Sequence, residues 1–169
     1  MNGRARIVVA ALSISGAGLV GIALHEGYTD EAVIPIPGDR PTYGFGSTTR
    51  PDGAPVRMGD TITPPAALRK SLSDIEIKFE TPLRQCIKVP LHQHEWDFAV
   101  SMSYNVGASG FCNSTIVKRW NAGDYAGGCE AVMMWKYAAG KDCSIRANNC
   151  YGLIIRREKE RRQCLGLGE

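Results

Sequence analysis

Two carboxylates and a threonine lie close together between residues 26 and 42. Glu26 ends an apolar stretch, and Asp39 and Thr42 follow on a Gly-rich turn. Cleavage of a glycosidic bond needs two carboxyl groups in unlike surroundings, because one must stay protonated as the acid while the other stays ionised. We expect Ile22 and Ala23 to desolvate Glu26 on a helix face, as suits an acid. The pattern indicates a hydrolase; the alternative is an ordinary surface glutamate at a helix end.

Length and charge set the first limits on the chain. Its 169 residues, of which 44% are hydrophobic and 22% charged, are typical of one globular domain with a short N-terminal extra segment. The formal net charge is +3, and the basic residues of the 156–162 run alternate with Glu158 and Glu160. This run predicts a solvated helix face or a contact for an anionic polymer. A nucleic-acid partner is not expected, because interleaved aromatics and stronger basicity are absent.

The cysteines indicate disulfides rather than a metal site. All six lie in the second half of the chain: Cys86, Cys112, Cys129, Cys143, Cys150 and Cys164. An even number without a Cys-x-x-Cys pair favours an oxidising compartment, and Cys143 with Cys150 can close a short loop. The pairing of the other four is open, and so is a set of buried thiols in a reducing cytosol. We expect no cofactor and no metal, since His25, His92 and His94 lack ligand spacing.

Residues 7–24 form an uncharged, largely apolar run. As a helix rising ~1.5 Å per residue it would be roughly 27 Å long, just short of a bilayer core. Half of the run is Gly, Ala or Ser, so its insertion into a bilayer would be weak. A permanent anchor, an anchor that can leave the bilayer, a signal peptide with a poor cleavage site, and a buried helix of a soluble protein all remain open.

The charges that flank this run predict its orientation. Arg4 and Arg6 precede it, whereas Glu26, Asp30 and Glu31 follow it. Basic residues favour the cytoplasmic side of a membrane, so the N-terminus should lie inside and the rest of the chain outside.

The remainder of the chain is predicted to be mostly helical. Thr63 with Pro64 and Pro65 is typical of a helix start. Apolar residues at helical spacing mark a central buried helix that ends before Gly107. We expect helices at residues 63–79, 94–105, 114–121, 125–135 and 154–165, and a short β-hairpin at residues 40–49.

Several motifs, in order along the chain, resemble phage-type lysozymes of glycoside hydrolase family 24 and especially their signal-anchor-release endolysins. They are Glu26-Gly27, Pro41-Thr42-Tyr43-Gly44-Phe45-Gly46, Ser103-Tyr104-Asn105-Val106-Gly107, Arg119-Trp120-Asn121-Ala122-Gly123-Asp124 and Arg156-Arg157-Glu158. The resemblance covers essentially the whole chain. It implies an α+β, mainly α, lysozyme-like fold with a small β-hairpin and a helical C-terminal lobe, preceded by a weakly hydrophobic anchor helix.

The resemblance also implies an activity, a muramidase that cuts the β-1,4 bond between N-acetylmuramic acid and N-acetylglucosamine of peptidoglycan with inversion. In this family a glutamate protonates the leaving oxygen, and an aspartate and a threonine position a water. Glu26 and Thr42 match those positions. The alternatives are a lytic transglycosylase on the same bond and a membrane-anchored cell-wall-binding protein that has lost the chemistry.

The aspartate is where the chain departs from the family. The family has eight residues between the Glu and the Asp and five between the Asp and the Thr. In this chain, counting forward from Glu26 lands on Pro35, and counting back from Thr42 lands on Ile36; neither side chain is a carboxylate. We expect Asp39 to be the second carboxylate, because the turn before it can bring it to the cleft wall. Glu31 and Asp30 are the alternatives.

Two further residues are candidates for sugar binding. Tyr104 and Asn105 end the central helix, and aromatic faces and amides suit sugar rings and N-acetyl groups. A core tyrosine with a capping asparagine is the alternative. Trp120 and Trp135 are expected in the core.

The resemblance finally implies a regulated export route. Residues 1–24 would be the signal-anchor-release segment and residues 25–169 the catalytic domain, held in the host inner membrane with its catalytic part in the periplasm. A holin-like partner would collapse the membrane potential and release the enzyme. Residues 7–24 contain no cysteine, so activation by a thiol inside the anchor is excluded.

Overall fold

The structure, a computed structural model, describes residues 5–167 and is mainly helical. Within that range the α-helices are, in chain order, α1 Gly16–Glu26, α2 Pro64–Ile75, α3 Thr81–Cys86, α4 Gln93–Val106, α5 Ala108–Cys112, α6 Thr115–Asn121, α7 Tyr125–Glu130 and α8 Gly152–Cys164. The strands are β1 Thr29–Val33, β2 Thr42–Gly44, β3 Tyr137–Ala138 and β4 Lys141–Asp142. Strands β1 and β2 pair antiparallel, as do β3 and β4. The predicted α+β, mainly helical class is confirmed.

The helical segment that starts after Thr63 continues to Cys86, beyond the predicted end at residue 79. Helix α2 passes through a wider turn, Glu76–Glu80, directly into α3. Pro82 lies in the first turn of α3. A proline lacks the N–H of a regular helix and its ring crowds the preceding turn, so the wider turn lets the helical segment continue past it.

The first β-hairpin agrees only in part with the one predicted at residues 40–49. Strand β2 pairs with β1, with Thr29 opposite Gly44 and Val33 opposite Thr42. Within residues 40–49 the pairing is one antiparallel bridge between Tyr43 and Ser47, because Gly44 (φ 60°) and Gly46 (φ 78°) turn the chain back at once.

The apolar run of residues 7–24 is not the single anchor helix that the sequence predicted. A short turn, Val9–Ala11, comes first, and α1 begins only at Gly16, where the Ser15 hydroxyl accepts a hydrogen bond from the Gly18 amide. Serine caps helix starts, so Ser15 divides the run. Across residues 5–167, none of the helices combines the length and the apolar character that crossing a membrane requires. Arg4 and the other residues of 1–4 lie outside the described range.

Two hydrophobic clusters build the molecule. The larger one surrounds α4, as the sequence predicted, and Trp96, Phe98 and Trp120 are fully buried in it. Trp135 packs partly buried against the same cluster. The smaller cluster lies under the β1–β2 hairpin and contains Ala32, Tyr43, Val56, Ile62 and Ala67. Helix α1 joins the larger cluster through Ile22 and ends where the hairpin begins.

Three disulfides link the helices and the second hairpin region. Cys143 bonds to Cys150, which confirms the predicted short loop, and the other pairs are Cys86–Cys112 and Cys129–Cys164. Such bonds persist in an oxidising compartment.

Candidate active site

Glu26 is the last residue of α1. The helix stops there because Gly27 adopts a positive φ of 72°, while its amide still bonds to the carbonyl of Ala23. Ile22, one turn earlier, is 3% exposed, but Glu26 itself is exposed. The expected desolvation of Glu26 by Ile22 and Ala23 is therefore wrong.

The loop of residues 43–47 lies against this carboxylate. It is closed by two backbone hydrogen bonds between Tyr43 and Ser47, of 3.2 and 3.0 Å. A Cβ atom placed on Gly46 would lie 3.2 Å from Glu26 Oε2. Glycine thus allows the backbone of the loop to approach the carboxylate closely. The Glu26-Gly27 motif and the motif of residues 41–46 are therefore close together in space.

Tyr104 closes the same region from α4. Its hydroxyl donates a hydrogen bond of 3.3 Å to the Phe45 carbonyl, and its ring packs on Phe79 at 4.9 Å between centroids. Burial raises the pKa of Tyr104 to about 12, and the negative charges of Glu26 and Asp74 add to the shift. The phenol therefore stays a neutral hydrogen-bond donor beside Glu26.

Thr42 is the first residue of β2 and is partly buried. Its neighbour Tyr43 points into the small hydrophobic cluster. Successive side chains of a strand point to opposite faces, so Thr42 lies on the face away from that cluster. Thr42 directly precedes the loop of residues 43–47, which contacts Glu26.

Asp39 lies in the connection of residues 34–41 between the paired strands. It is exposed; its amide bonds to the Ile36 carbonyl, and its Oδ1 accepts a hydrogen bond of 2.8 Å from the Arg40 amide. Asp30 and Glu31 are also exposed, on β1. The described contacts leave the choice of second carboxylate among these three as a prediction.

Asn105 follows Tyr104 and is bound by Arg157, which the sequence predicted to lie on a solvated helix face. Its Oδ1 accepts a hydrogen bond of 3.0 Å from Arg157 Nη2, so it is not the helix cap that was the alternative. Arg157 is 3% exposed, pairs with Glu160 and donates to the Trp135 carbonyl. The predicted solvated face of the 156–162 run is wrong at Arg157 and Glu160. A guanidinium can only donate, so Arg157 occupies the oxygen of the Asn105 side chain, and Asn105 itself is exposed.

The structure describes the side chains of His92 and His94, whereas that of His25 lies outside the described part. The rings of His92 and His94 stack at 5.2 Å near the start of α4, and burial lowers the pKa of His94. Among residues 5–167 no group of three His, Cys, Asp or Glu side chains is placed to hold a metal ion.

Comparison with known proteins identifies the arrangement. The family model of the phage lysozymes matches residues 23–160, a span that begins just before Glu26 and includes all of these residues. The chain belongs to the phage lysozyme family. It is a glycoside hydrolase that degrades peptidoglycan in host lysis. The region where the end of α1, the loop of residues 43–47 and α4 meet is therefore its candidate active site.

Similar proteins cover nearly all of this lysozyme. It is 32% identical over 155 residues to the endolysin of Salmonella phage P22, a match that covers 89% of this chain and 96% of the relative. It is 36% identical over 159 residues to the SAR-endolysin of Pseudomonas phage phiKMV, covering 92% and 89% of the two chains. The solved endolysin from Escherichia coli O157:H7 phage FAHEc1 superposes with a TM-score of 0.74 at 36% identity, over 92% of this chain and 94% of that one.

Proposed function

We propose that this lysozyme hydrolyses the β-1,4 bond between N-acetylmuramic acid and N-acetylglucosamine, with Glu26 as the acid that protonates the leaving oxygen. The supporting observation is the close approach of the loop of residues 43–47 to Glu26. Because Thr42 directly precedes this loop, the approach supports an acid at Glu26 and a water-positioning hydroxyl at Thr42. The sugar would lie between them, with Tyr104 and Asn105 along its edge.

Asp39 is our proposed second carboxylate. It lies three residues before Thr42, in the connection that leads into β2, and it is exposed, so that water can reach its carboxylate. The Arg40 amide occupies only Oδ1, so the other oxygen can accept a hydrogen bond from water. In the inverting mechanism this carboxylate and Thr42 hold the water on the face opposite to Glu26.

The reaction is tested by mass spectrometry of the fragments that the purified protein releases from peptidoglycan. Fragments that end in reducing N-acetylmuramic acid support hydrolysis. Anhydro ends would instead mean that Glu26 works without a water-positioning carboxylate, as a lytic transglycosylase, and an intact polymer would favour the binding protein. Glu26→Gln should abolish release, whereas Glu76→Gln, at an exposed glutamate after α2, should leave it unchanged.

The second carboxylate is tested with matched aspartates. Asp39→Asn should lower kcat by about a hundredfold or more, a typical loss for a group that acts in the transition state. Asp52→Asn is the control, because Asp52 is likewise exposed and caps a nearby amide, that of Ala54, through Oδ1. If Asp39→Asn retains full kcat while Asp30→Asn or Glu31→Gln loses it, the assignment moves to that residue.

We also propose that residues 1–24 are a releasable membrane anchor, with the N-terminus cytoplasmic and residues 25–169 periplasmic. The uncharged run and the SAR-endolysin relative support this. The described part of the run makes the contacts of a folded enzyme: Val9, Leu12 and Ile22 are buried in the larger cluster. We take this as the released form, reached after a holin-like partner collapses the membrane potential. In the tethered form α1 would be withdrawn and Glu26 would sit at the membrane surface.

Three glycines of α1 provide a matched test of release. Leucine at any of them makes the run more apolar and should slow its exit from the membrane. A Cβ at Gly18 would lie 3.0 Å from Asp97 Cγ, whereas Gly16 and Gly21 have nothing within 4 Å. All three leucine variants should therefore be retained in membranes, and only Gly18→Leu should also lose activity after release. Unchanged release of Gly16→Leu and Gly21→Leu, measured by fractionation before and after the potential is collapsed, would contradict the anchor.

A further inference from the structure

The loop of residues 43–47 is fixed not only to Glu26 but also to α2 beneath it. Ser47, which closes the loop, is 7% exposed, and its hydroxyl donates a hydrogen bond of 3.0 Å to Asp74 Oδ2. Gly44 adds a packing contact with the same helix, because a Cβ there would lie 3.0 Å from the Cβ of Ala67. The loop therefore rests on α2 through both of its ends.

Asp74 is built to hold that position. Its side chain is 14% exposed, and Lys70 and Lys78 approach its Oδ1 at 2.6 and 3.1 Å. Burial alone would raise the pKa of Asp74, but the hydrogen bonds from Lys70, Lys78 and Ser47 outweigh it and lower the pKa. Asp74 is thus a fixed anion whose second oxygen is left for Ser47.

Lys70 ties a second point of the same segment to this anion. Its side chain is 10% exposed, and Nζ also donates 3.0 Å to the Thr49 hydroxyl. The segment that leaves the loop is therefore bound at Ser47 and at Thr49 by one partly buried charge pair. Charge-assisted hydrogen bonds of this kind hold geometry more firmly than neutral ones.

The opposite side of the loop carries the active-site contacts. Gly46 lies against the Glu26 carboxylate, and the Phe45 carbonyl accepts the hydrogen bond of Tyr104. A shift of the loop at Ser47 would therefore move Gly46 relative to the Glu26 carboxylate and Phe45 relative to Tyr104. Misplacement by about 1 Å can cost a hundredfold in rate.

We propose that Asp74, acting through Ser47, is a positioning residue for catalysis: it sets the loop of residues 43–47 against Glu26. This inference rests on the proposed role of Glu26 as the acid. Asp74 touches neither the sugar nor the water, so its effect should fall on kcat, while saccharide binding along the rest of the cleft and KM stay unchanged.

The test uses Ser47→Ala, Asp74→Asn and the double variant, assayed on soluble peptidoglycan fragments. Each single variant should lower kcat by about tenfold to a hundredfold with KM within about twofold, and the double variant should be no worse than the poorer single one, because both remove the same link. Ser47→Ala leaves the lysine pairs of Asp74 intact and so remains informative if Asp74→Asn folds poorly.

Two remote pairs provide the structural controls. Ser114 is also 7% exposed, and its hydroxyl accepts a hydrogen bond from the Val117 amide at the start of α6. Asp142 is also paired with a lysine, Lys136, at 2.7 Å. Ser114→Ala and Asp142→Asn should lower the melting temperature but leave kcat unchanged.

The outcomes are separable from failure of the proposed function. If the unmodified protein releases no fragments, or Glu26→Gln is fully active, the proposed function fails. If the unmodified protein and the two controls are active and Ser47→Ala keeps kcat within about twofold, the positioning role of Asp74 is overturned. A rise in KM with unchanged kcat would overturn it as well.

Discussion

The hydroxyl of Tyr104 donates a hydrogen bond of 3.3 Å to the carbonyl of Phe45, and this bond joins the central helix to the loop beside Glu26. Tyr104 belongs to the helical lobe, and Phe45 packs against the small cluster under the β1–β2 hairpin. The bond therefore spans the two hydrophobic clusters at the point where the candidate active site lies between them. It makes the relative position of α4 and the loop part of the catalytic geometry.

The raised pKa of Tyr104 predicts a specific loss of stability in alkali. A folded-state pKa of about 12, above the ordinary 10.0, means that the folded protein holds the phenol proton more tightly than the unfolded chain. This stabilisation is complete below about pH 10 and is lost as the pH rises through about 12; it amounts to roughly 2 kcal/mol, since partial exposure of the ring to water reduces the full effect of the shift. Tyr104→Phe should lack this part of the pH dependence. Urea unfolding of both proteins across this range measures it, and parallel curves would contradict the shift.

We expect activity to require glycine at position 46 for two reasons, its positive φ and the lack of space for a side chain beside Glu26. Gly46 and Gly53 both have positive φ, 78° and 83°, so alanine at either should cost roughly 1–2 kcal/mol of stability. Only at Gly46 would the new methyl group meet Glu26, since Gly53 has nothing within 4 Å. Gly46→Ala should therefore lower kcat by about tenfold or more, whereas Gly53→Ala should change the melting temperature alone. Equal kcat for the two variants would show that the loop can move away from Glu26.

The helices were predictable because their signals are local. Thr63 with two prolines marked the start of α2, and α2 begins at Pro64. The apolar spacing before Gly107 predicted α4, and that helix is the buried centre of the fold. Caps and 3.6-residue periodicity act within one or two turns, so they can be read without knowledge of the neighbours.

The features that sequence reasoning missed depend on distant neighbours. Strand β1 contains Asp30 and Glu31 and lacks an alternating apolar pattern; it forms because β2 bonds to one edge and the Asp60 carbonyl and Ile62 amide bond to the other. Arg157 lies in a charged run that looks solvated, yet the Trp135 carbonyl and Asn105 satisfy it in the interior. Glu26 and Thr42 were singled out by the residue pattern and the family resemblance. The spacing of Lys70, Asp74 and Lys78 predicts their ion pairs on one helix face, but the hydrogen bond from Ser47 to Asp74 joins residues 27 positions apart and depends on the fold.

Arg6 is expected to lock the N-terminal segment onto the domain. Its guanidinium donates to both carboxylate oxygens of Glu95, at 2.8 and 3.1 Å, and stacks 3.5 Å from the Tyr125 ring centre. Glu95 is only 4% exposed, so Arg6→Met leaves a nearly buried charge without its partner. We expect a loss of about 2 kcal/mol in the free energy of unfolding, less than for a fully buried pair because Arg6 is 31% exposed.

A double variant and a surface pair make this prediction specific. Arg6→Met combined with Glu95→Gln should recover part of the loss, because the unpaired charge is then gone. Glu130→Gln breaks the pair with Arg161 at a half-exposed position and should cost under about 1 kcal/mol. A loss for Arg6→Met no larger than for Glu130→Gln, in urea unfolding at neutral pH, would mean that Arg6 does not hold the segment.

The disulfides should differ in what they contribute to stability, in the order of the loops that they close. Cys129–Cys164 spans 35 residues and joins α7 to α8, whereas Cys143–Cys150 spans 7. Loop-closure entropy in the unfolded chain then predicts a loss of about 4 kcal/mol when the first pair is replaced by serines and about 2 kcal/mol for the second. Urea unfolding of the two double variants under non-reducing conditions measures both losses. The reverse order would mean that contacts within the 143–150 loop, rather than chain entropy, dominate the contribution of that disulfide to stability.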